Sequence, residues 1–177
     1  MKKAAFLDRD GVINRKPPEG QYVTRWEELQ FLPGVSEAII LLTGAGYSVF
    51  VVTNQRGVAK GLPTQDDLES IHRRMCQGLA DVGAVITKVY YCPHEKQPPC
   101  ICRKPAPGML LTAARDHEIN LSSSWMIGDS DIDVEAGKNA GCKTIRIAPR
   151  GPAGNNGADE SAASLIAAVH RILALQP

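Results

Sequence analysis

The chain has 177 residues, 44% of them hydrophobic and 22% charged, which sets aside collagen-like, disordered and membrane-embedded classes and predicts one domain able to bury a core. With 20 Lys and Arg against 19 Asp and Glu, the formal net charge of +1 gives no global basic excess to attract nucleic acid or an anionic membrane. Five cysteines are an odd number, and three of them crowd around one histidine, which favours metal binding in a reducing, cytoplasmic compartment over a disulfide framework.

In chain order, the first element is a buried strand over 4–7 that ends on Asp8. Its basic start meets that acid after four apolar residues, too few for the apolar region of a secretory signal. Residues 15–33 then form a connection too long for a simple turn, followed by a helix over 35–45 and a strand over 49–52. Gly44 and Gly46 break the apolar stretch between 38 and 53, which lacks the ~18 continuous apolar residues of a membrane span. Thr64 followed three residues later by Asp67 is a capping-box start for a helix over 65–82. A strand over 85–91, a second long loop over 93–107, a helix over 109–117 and a strand over 125–127 come next. A helix over 132–140, a strand over 144–147, a polar loop over 151–157 and a helix over 161–173 complete the chain. Strands alternating with helices predict an α/β, Rossmann-like parallel sheet with helices on both faces, a minimal cap and a single domain over residues 1–177. Without a sustained exposed apolar helix face, the expected state is a monomer. Both long loops leave the carboxyl ends of strands, the edge at which open parallel sheets bind ligands.

At the end of the first strand stands Asp8-Arg9-Asp10-Gly11, two carboxylates placed to repel one another or to share a hard cation. Alone, this pattern reads equally as a solvated turn. It gains meaning from Thr53-Asn54-Gln55 after the second strand, Arg103-Lys104-Pro105 in the second long loop and Gly128-Asp129-Ser130-Asp131-Ile132-Asp133 after the fourth. Four such motifs, in this order and on these elements, resemble the haloacid dehalogenase superfamily of phosphatases over nearly the whole chain. Phosphoryl transfer needs a nucleophile, a metal and hydrogen-bonding clamps for a spreading negative charge, and residues that can supply or hold all three are available. The resemblance implies Asp8 as nucleophile, Asp10 as general acid and base, and Thr53 and Lys104 as clamps on the transferring oxygens. It also implies Mg2+ held by Asp8, the Asp10 main chain and Asp129. Asp133 takes the place of the motif's second acid, with a role either at the metal or in orienting Lys104. Asp131 reads as an acid at a helix N-terminus, favoured by the helix dipole.

Cys92-Pro93-His94, five intervening residues and Cys100-Ile101-Cys102 offer three thiolates and one imidazole, a set suited to closed tetrahedral Zn2+. With no open position such a metal is structural, folding a proline-rich segment of little apolar surface and aiming Arg103 and Lys104. The alternative is free thiols with a surface histidine. Cys76 and Cys142 read as small core residues.

This cysteine loop, with Arg-Lys-Pro after it, resembles two families within the superfamily: the heptose 1,7-bisphosphate phosphatases and the histidinol-phosphate phosphatases. The segment from Thr53 to Gly61 resembles the former more closely, although Arg56 stands where serine is commoner. The resemblance implies removal of the C7 phosphate of a heptose 1,7-bisphosphate in lipopolysaccharide-core biosynthesis, with substrate contacts at Glu19, Tyr22, Asn54, Gln55, Arg56 and Arg103. A second phosphate calls for further cations, and Arg103 offers a planar fork for one. Arg15, Lys16 and Lys60 read equally as substrate contacts or solvated charges. Two other readings stay open: histidinol phosphate as substrate, and an inactive zinc-stabilised phosphate-binding module.

Overall fold

The computed structural model describes residues 2–149, 151 and 157–175. Strands β1 (Lys3–Leu7), β2 (Tyr47–Asn54), β3 (Lys88–Cys92), β4 (Trp125–Gly128), β5 (Lys143–Ile147) and β6 (Glu160–Ala162) form one parallel sheet in the order β3-β2-β1-β4-β5-β6. Between them run α1 (Val35–Gly44), α2 (Gln65–Ala80), α3 (Gly108–His117) and α4 (Asp131–Ala140), with α5 (Leu165–Ala174) at the end.

The strands carry apolar residues on both faces because both are covered, as parallel sheets require. Ala5, Leu7, Val49 and Val51 point into one core, built with Ala38 and Leu42 of α1, Met75 of α2 and Val169 of α5. Ala4, Phe6, Phe50 and Val52 point into the other, against Met109, Leu110 and Ala113 of α3 and Ala136 of α4. Phe6 and Phe50 stack across it with ring centroids 5.5 Å apart. Each such side chain contributes about 1.5–3 kcal/mol on burial. Strand order reverses at β1, whose neighbours β2 and β4 lead off in opposite directions, so a crevice opens beyond the carboxyl ends of β1, β2 and β4.

Helix α2 starts at Thr64 as its spacing predicts: the hydroxyl accepts from Asp67 N at 3.1 Å while the Asp67 carboxylate accepts from Thr64 N at 3.0 Å. Most element ends shift by one or two residues from the sequence reading, β2 spanning 47–54 and α2 ending at Ala80, and three features depart further. The third strand starts at Lys88 and not at 85, because Val85 is exposed and sheet pairing first engages at Phe50 opposite Lys88. The predicted helix over 161–173 is a three-residue strand followed by a helix. The edge of β5 pairs Ile145 with Glu160, and Ser164 then caps α5 by accepting from Ala167 N. The long connection over 15–33 contains a 3-10 turn at Trp26–Glu28. The predicted polar loop over 151–157 lies mostly outside the described residues. Among the described residues no helix is long and apolar enough to cross a membrane.

Candidate active site

Asp8 follows directly on β1, and its N–H donates to Ile127 O of β4 at 2.9 Å, which keeps it in line with the sheet. The chain then turns sharply, with the N–H groups of Val12, Ile13 and Asn14 all directed onto Arg9 O. Gly11, at φ +94°, is required twice over: its backbone is left-handed, and a Cβ there would overlap the Asp129 carboxylate. Gly128 is likewise bare because a Cβ would overlap the Asp133 side chain.

Lys104 reaches the crevice from the far loop and is 2% exposed. Its ammonium donates to Asp8 Oδ1 at 2.9 Å and Val52 O at 2.7 Å, and pairs with Asp133 Oδ1 at 2.6 Å. Burial works against that charge, but Asp8 and Asp133 outweigh it and hold the lysine above its ordinary pKa. The Asp133 carboxylate serves two elements at once. Its other oxygen, Oδ2, accepts from Ser130 N at 3.1 Å and Ser130 Oγ at 2.5 Å, closing the capping box of α4. Burial pushes Asp8 up to about 7; Lys104 pulls it back, while Asp133 and Asp10 add to the rise.

The carboxylate oxygens of Asp8, Asp129 and Asp133 lie within 4.8 Å of one another. Asp129 Oδ1 is buried without a hydrogen-bond partner among the described residues, and Oδ2 is met by the half-exposed Lys16 ammonium at 2.6 Å. Burial raises the Asp129 pKa, and Lys16 only partly offsets this. Hard oxygen donors, one of them orphaned, fit a divalent cation such as magnesium.

Thr53, 1% exposed, accepts from Gln55 Nε2 at 2.9 Å, and the same amide nitrogen lies 3.2 Å from Asp10 Oδ2. Asn54 uses both halves of its side-chain amide on one peptide: Nδ2 donates to Lys104 O at 3.1 Å and Oδ1 accepts from Lys104 N at 3.0 Å. Its amide therefore holds the lysine's backbone. Glu19 and Tyr22 line a cleft of about 180 Å3 together with Asp10, Asn54 and Gln55. Arg56 and Arg103 turn elsewhere. Arg56 Nε donates to Glu95 Oε2 at 2.5 Å, and Arg103 Nη1 donates to His94 O at 3.1 Å while lining a hollow with Lys96, Lys104 and Ile132. Lys60 lies over the Tyr22 ring, and Asp131, the first residue of α4, pairs with Arg146.

The four cysteine-loop ligands converge. Their sulfurs lie 3.2–3.6 Å apart and His94 Nδ1 is 3.2–3.5 Å from the sulfurs of Cys102 and Cys92. A tetrahedral zinc with bonds of ~2.3 Å needs donor separations of roughly 3.7 Å, so a small adjustment admits the ion. Cys92 O accepts from Gln55 N at 2.8 Å, tying this cluster to the strand that carries Thr53. Cys142 is buried in the sheet's second core and Cys76 packs against the first.

Three polar residues of the crevice escaped the motif-based reading: Arg9, Asn14 and His72. Arg9 sits inside the first motif but reads there as a spacer. His72 falls on the apolar stripe of α2, with Leu68, Ile71, Met75 and Leu79, and a histidine on such a stripe is the available signal.

Comparison with known proteins agrees with this geometry. A family model described as HAD-hydrolase-like matches residues 101–160. The D-glycero-beta-D-manno-heptose-1,7-bisphosphate 7-phosphatase of Rhodopseudomonas palustris is 44% identical over 153 residues, 82% of this chain and 83% of that protein. The enzyme of the same name from Pasteurella multocida is 40% identical over 85% of this chain and 84% of its own. Among solved structures, the D,D-heptose 1,7-bisphosphate phosphatase from B. bronchiseptica, complexed with magnesium and phosphate, superposes with a TM-score of 0.87. It is 33% identical and covers 98% of this chain and 99% of that one. The chain belongs to the heptose-1,7-bisphosphate 7-phosphatase family of haloacid-dehalogenase-like hydrolases.

Proposed function

We propose that residues 1–177 act as one Mg2+-dependent phosphatase domain that removes the C7 phosphate of D-glycero-D-manno-heptose 1,7-bisphosphate through an Asp8 aspartyl-phosphate. The observation that carries this reading is the Asp8 carboxylate, buried at the sheet's switch point, 2.9 Å from the Lys104 ammonium and within 4.8 Å of the Asp129 and Asp133 oxygens. Asp8 attacks phosphorus as the bond to the sugar oxygen breaks. Asp10 gives its proton to the departing alkoxide and then takes one from the water that cleaves the acyl phosphate. Thr53 Oγ and Lys104 Nζ hold the transferring oxygens, with Gln55 fixing Thr53. Asp8, Asp129 and the Asp10 main-chain carbonyl would hold magnesium, which would supply charge neutralisation between nucleophile and phosphate.

Glu19, Tyr22 and Gln55 meet the sugar, a reading supported by the cleft that they line beside Asp10. Arg103 meets the second phosphate after leaving His94 O, and Arg56 does so after leaving Glu95. Cys92, His94, Cys100 and Cys102 hold one structural Zn2+, and the enzyme works as a cytoplasmic monomer, where thiols stay reduced.

The test is Mg2+-dependent phosphate release from both anomers of the heptose bisphosphate and from histidinol phosphate, with Asp8→Asn as the blank. A hundredfold preference for a bisphosphate, about 2.7 kcal/mol of discrimination, is the expected outcome. Preference for histidinol phosphate overturns the substrate and keeps the mechanism. No release from any of them favours a phosphate-binding module.

A further inference from the structure

Arg9 is the largest of the fully buried side chains among the described residues, and a buried guanidinium is costly unless it is well paired. Its Nε and Nη2 donate to Asp10 Oδ1 at 3.2 and 3.0 Å, and Nη2 also reaches Oδ2 at 3.0 Å. Its remaining nitrogen, Nη1, lies 3.1 Å from Nε2 of His72, itself 5% exposed. A guanidinium has donors only, so His72 Nε2 accepts and the ring proton resides on Nδ1. Burial, reinforced by the Arg9 charge, depresses the His72 pKa to about 3, which keeps the ring neutral and able to accept. The same carboxylate takes Asn14 Nδ2 on Oδ1 at 2.9 Å and Gln55 Nε2 on Oδ2 at 3.2 Å.

Both Asp10 oxygens are thus fixed in rotation, and the strongest of their partners is braced by a residue of α2. The Arg9 side chain is 1% exposed and each of its three nitrogens already has a partner, so it does not serve as a phosphate clamp. We propose that Arg9 and His72 form a buried positioning pair that sets the orientation of the Asp10 carboxylate for proton transfer to the leaving group, with α2 as its rigid support. A proton donor works only within hydrogen-bond reach and in the right direction, and small displacements of such a group cost large factors in rate. The proposal rests on the reading of Asp10 as the general acid.

The test separates proton transfer from everything else by changing the leaving group. His72→Leu removes the acceptor, and His72→Gln keeps an oxygen that takes the Arg9 N–H. First-turnover rates are measured on D-glycero-D-manno-heptose 1,7-bisphosphate, whose alkoxide needs a proton, and on p-nitrophenyl phosphate, whose phenolate does not. His72→Leu is expected to slow the bisphosphate at least about tenfold with KM within about twofold, while nitrophenolate release changes less than about twofold. His72→Gln is expected to return the bisphosphate rate to within about threefold of the parent. Should His72→Leu fail to fold, Arg9→Lys carries the same test, since one ammonium cannot span both oxygens of Asp10. Equal losses on both substrates, or no loss, would overturn the pair's role and leave the proposed function standing. Asp10→Asn is run beside them, and if it shows no selective loss on the bisphosphate, the acid assignment falls and the proposal falls with it.

Discussion

The buried imidazole of His72 makes folding stability depend on pH in a direction that can be worked out. Burial, with Arg9 adding to it, takes its pKa from an ordinary 6.5 down to about 3 in the folded chain, while the nearby Asp10 and Glu69 pull only weakly the other way. The unfolded chain therefore binds a proton in this window that the folded chain refuses. The stability from keeping this ring neutral is complete above pH 6.5 and is lost as pH falls toward 3. Between pH 7.5 and 5 the loss comes to about 2 kcal/mol, or roughly 4–8 °C in Tm for a domain of this length. Glutamine at the same position cannot titrate, so His72→Gln removes this contribution and leaves every other group in place. Thermal unfolding of the parent and His72→Gln over pH 5–7.5, in one buffer and with the same metal loading, should show the parent's Tm falling relative to that of the variant by roughly 4–8 °C as pH falls. Curves that stay parallel would refute the placement of a neutral, buried His72 against Arg9.

Lys104→Met leaves the Asp8 and Asp133 carboxylates facing each other without their shared cation; in metal-free protein at neutral pH this should cost ~3–5 kcal/mol, measured by urea unfolding, with part of the loss recovered on adding Mg2+. Gly128→Ala drives a methyl group into the Asp133 side chain and should destabilise by ~1–3 kcal/mol while lowering kcat further than Tm predicts, because Asp133 also holds Lys104. Asn54→Leu removes both hydrogen bonds to the Lys104 peptide, for ~1–3 kcal/mol of stability and a fall in kcat, read by calorimetry and steady-state kinetics. Cys100→Ser should abolish zinc retention in elemental analysis and expose the segment between Cys92 and Cys102 to limited proteolysis, whereas Cys76→Ser should leave zinc content unchanged.

Sheet and helices were legible because the central strands are apolar on both faces and the stretches between them carry helical periodicity, with Thr64 and Asp67 marking the start of α2. The last strand was hidden because Glu160-Ser161-Ala162 has no strand character of its own; it is the open edge of β5 that draws it into the sheet. The motif residues arrive together because the four motifs lie at the carboxyl ends of β1, β2 and β4 and on the loop that follows β3, which the strand order makes neighbours. What spacing could not convey is how side chains divide their bonds. Asn54 and Arg56 stand next to Thr53 in sequence, yet one holds the Lys104 backbone and the other turns to Glu95 on the cysteine loop. Arg9 and His72 are 63 residues apart and meet only because α2 packs beside the β1 turn.

These bonds account for the placement of one lysine by a loop with almost no core of its own. Lys104 stands two residues beyond Cys102, and its ammonium must reach Asp8 through a gap walled by Val52 O and Asp133. The ammonium is fixed by the sheet and α4, but the backbone that delivers it belongs to a proline-rich loop. Two ties connect that loop to β2: the Asn54 amide clasps the Lys104 peptide, and Gln55 N donates to Cys92 O at the loop's start. The cysteine cluster closes the segment between those ties, with Sγ to Sγ separations of 3.2–3.6 Å. Losing the cluster therefore frees the length of chain between two anchored ends, and the entropy that Lys104 must then give up on reaching Asp8 rises with it. Metal removal should accordingly act on kcat through Lys104, more than on the sheet's stability, since among the described residues the segment from Cys92 to Cys102 meets the cores only through Cys92, Cys100 and Cys102.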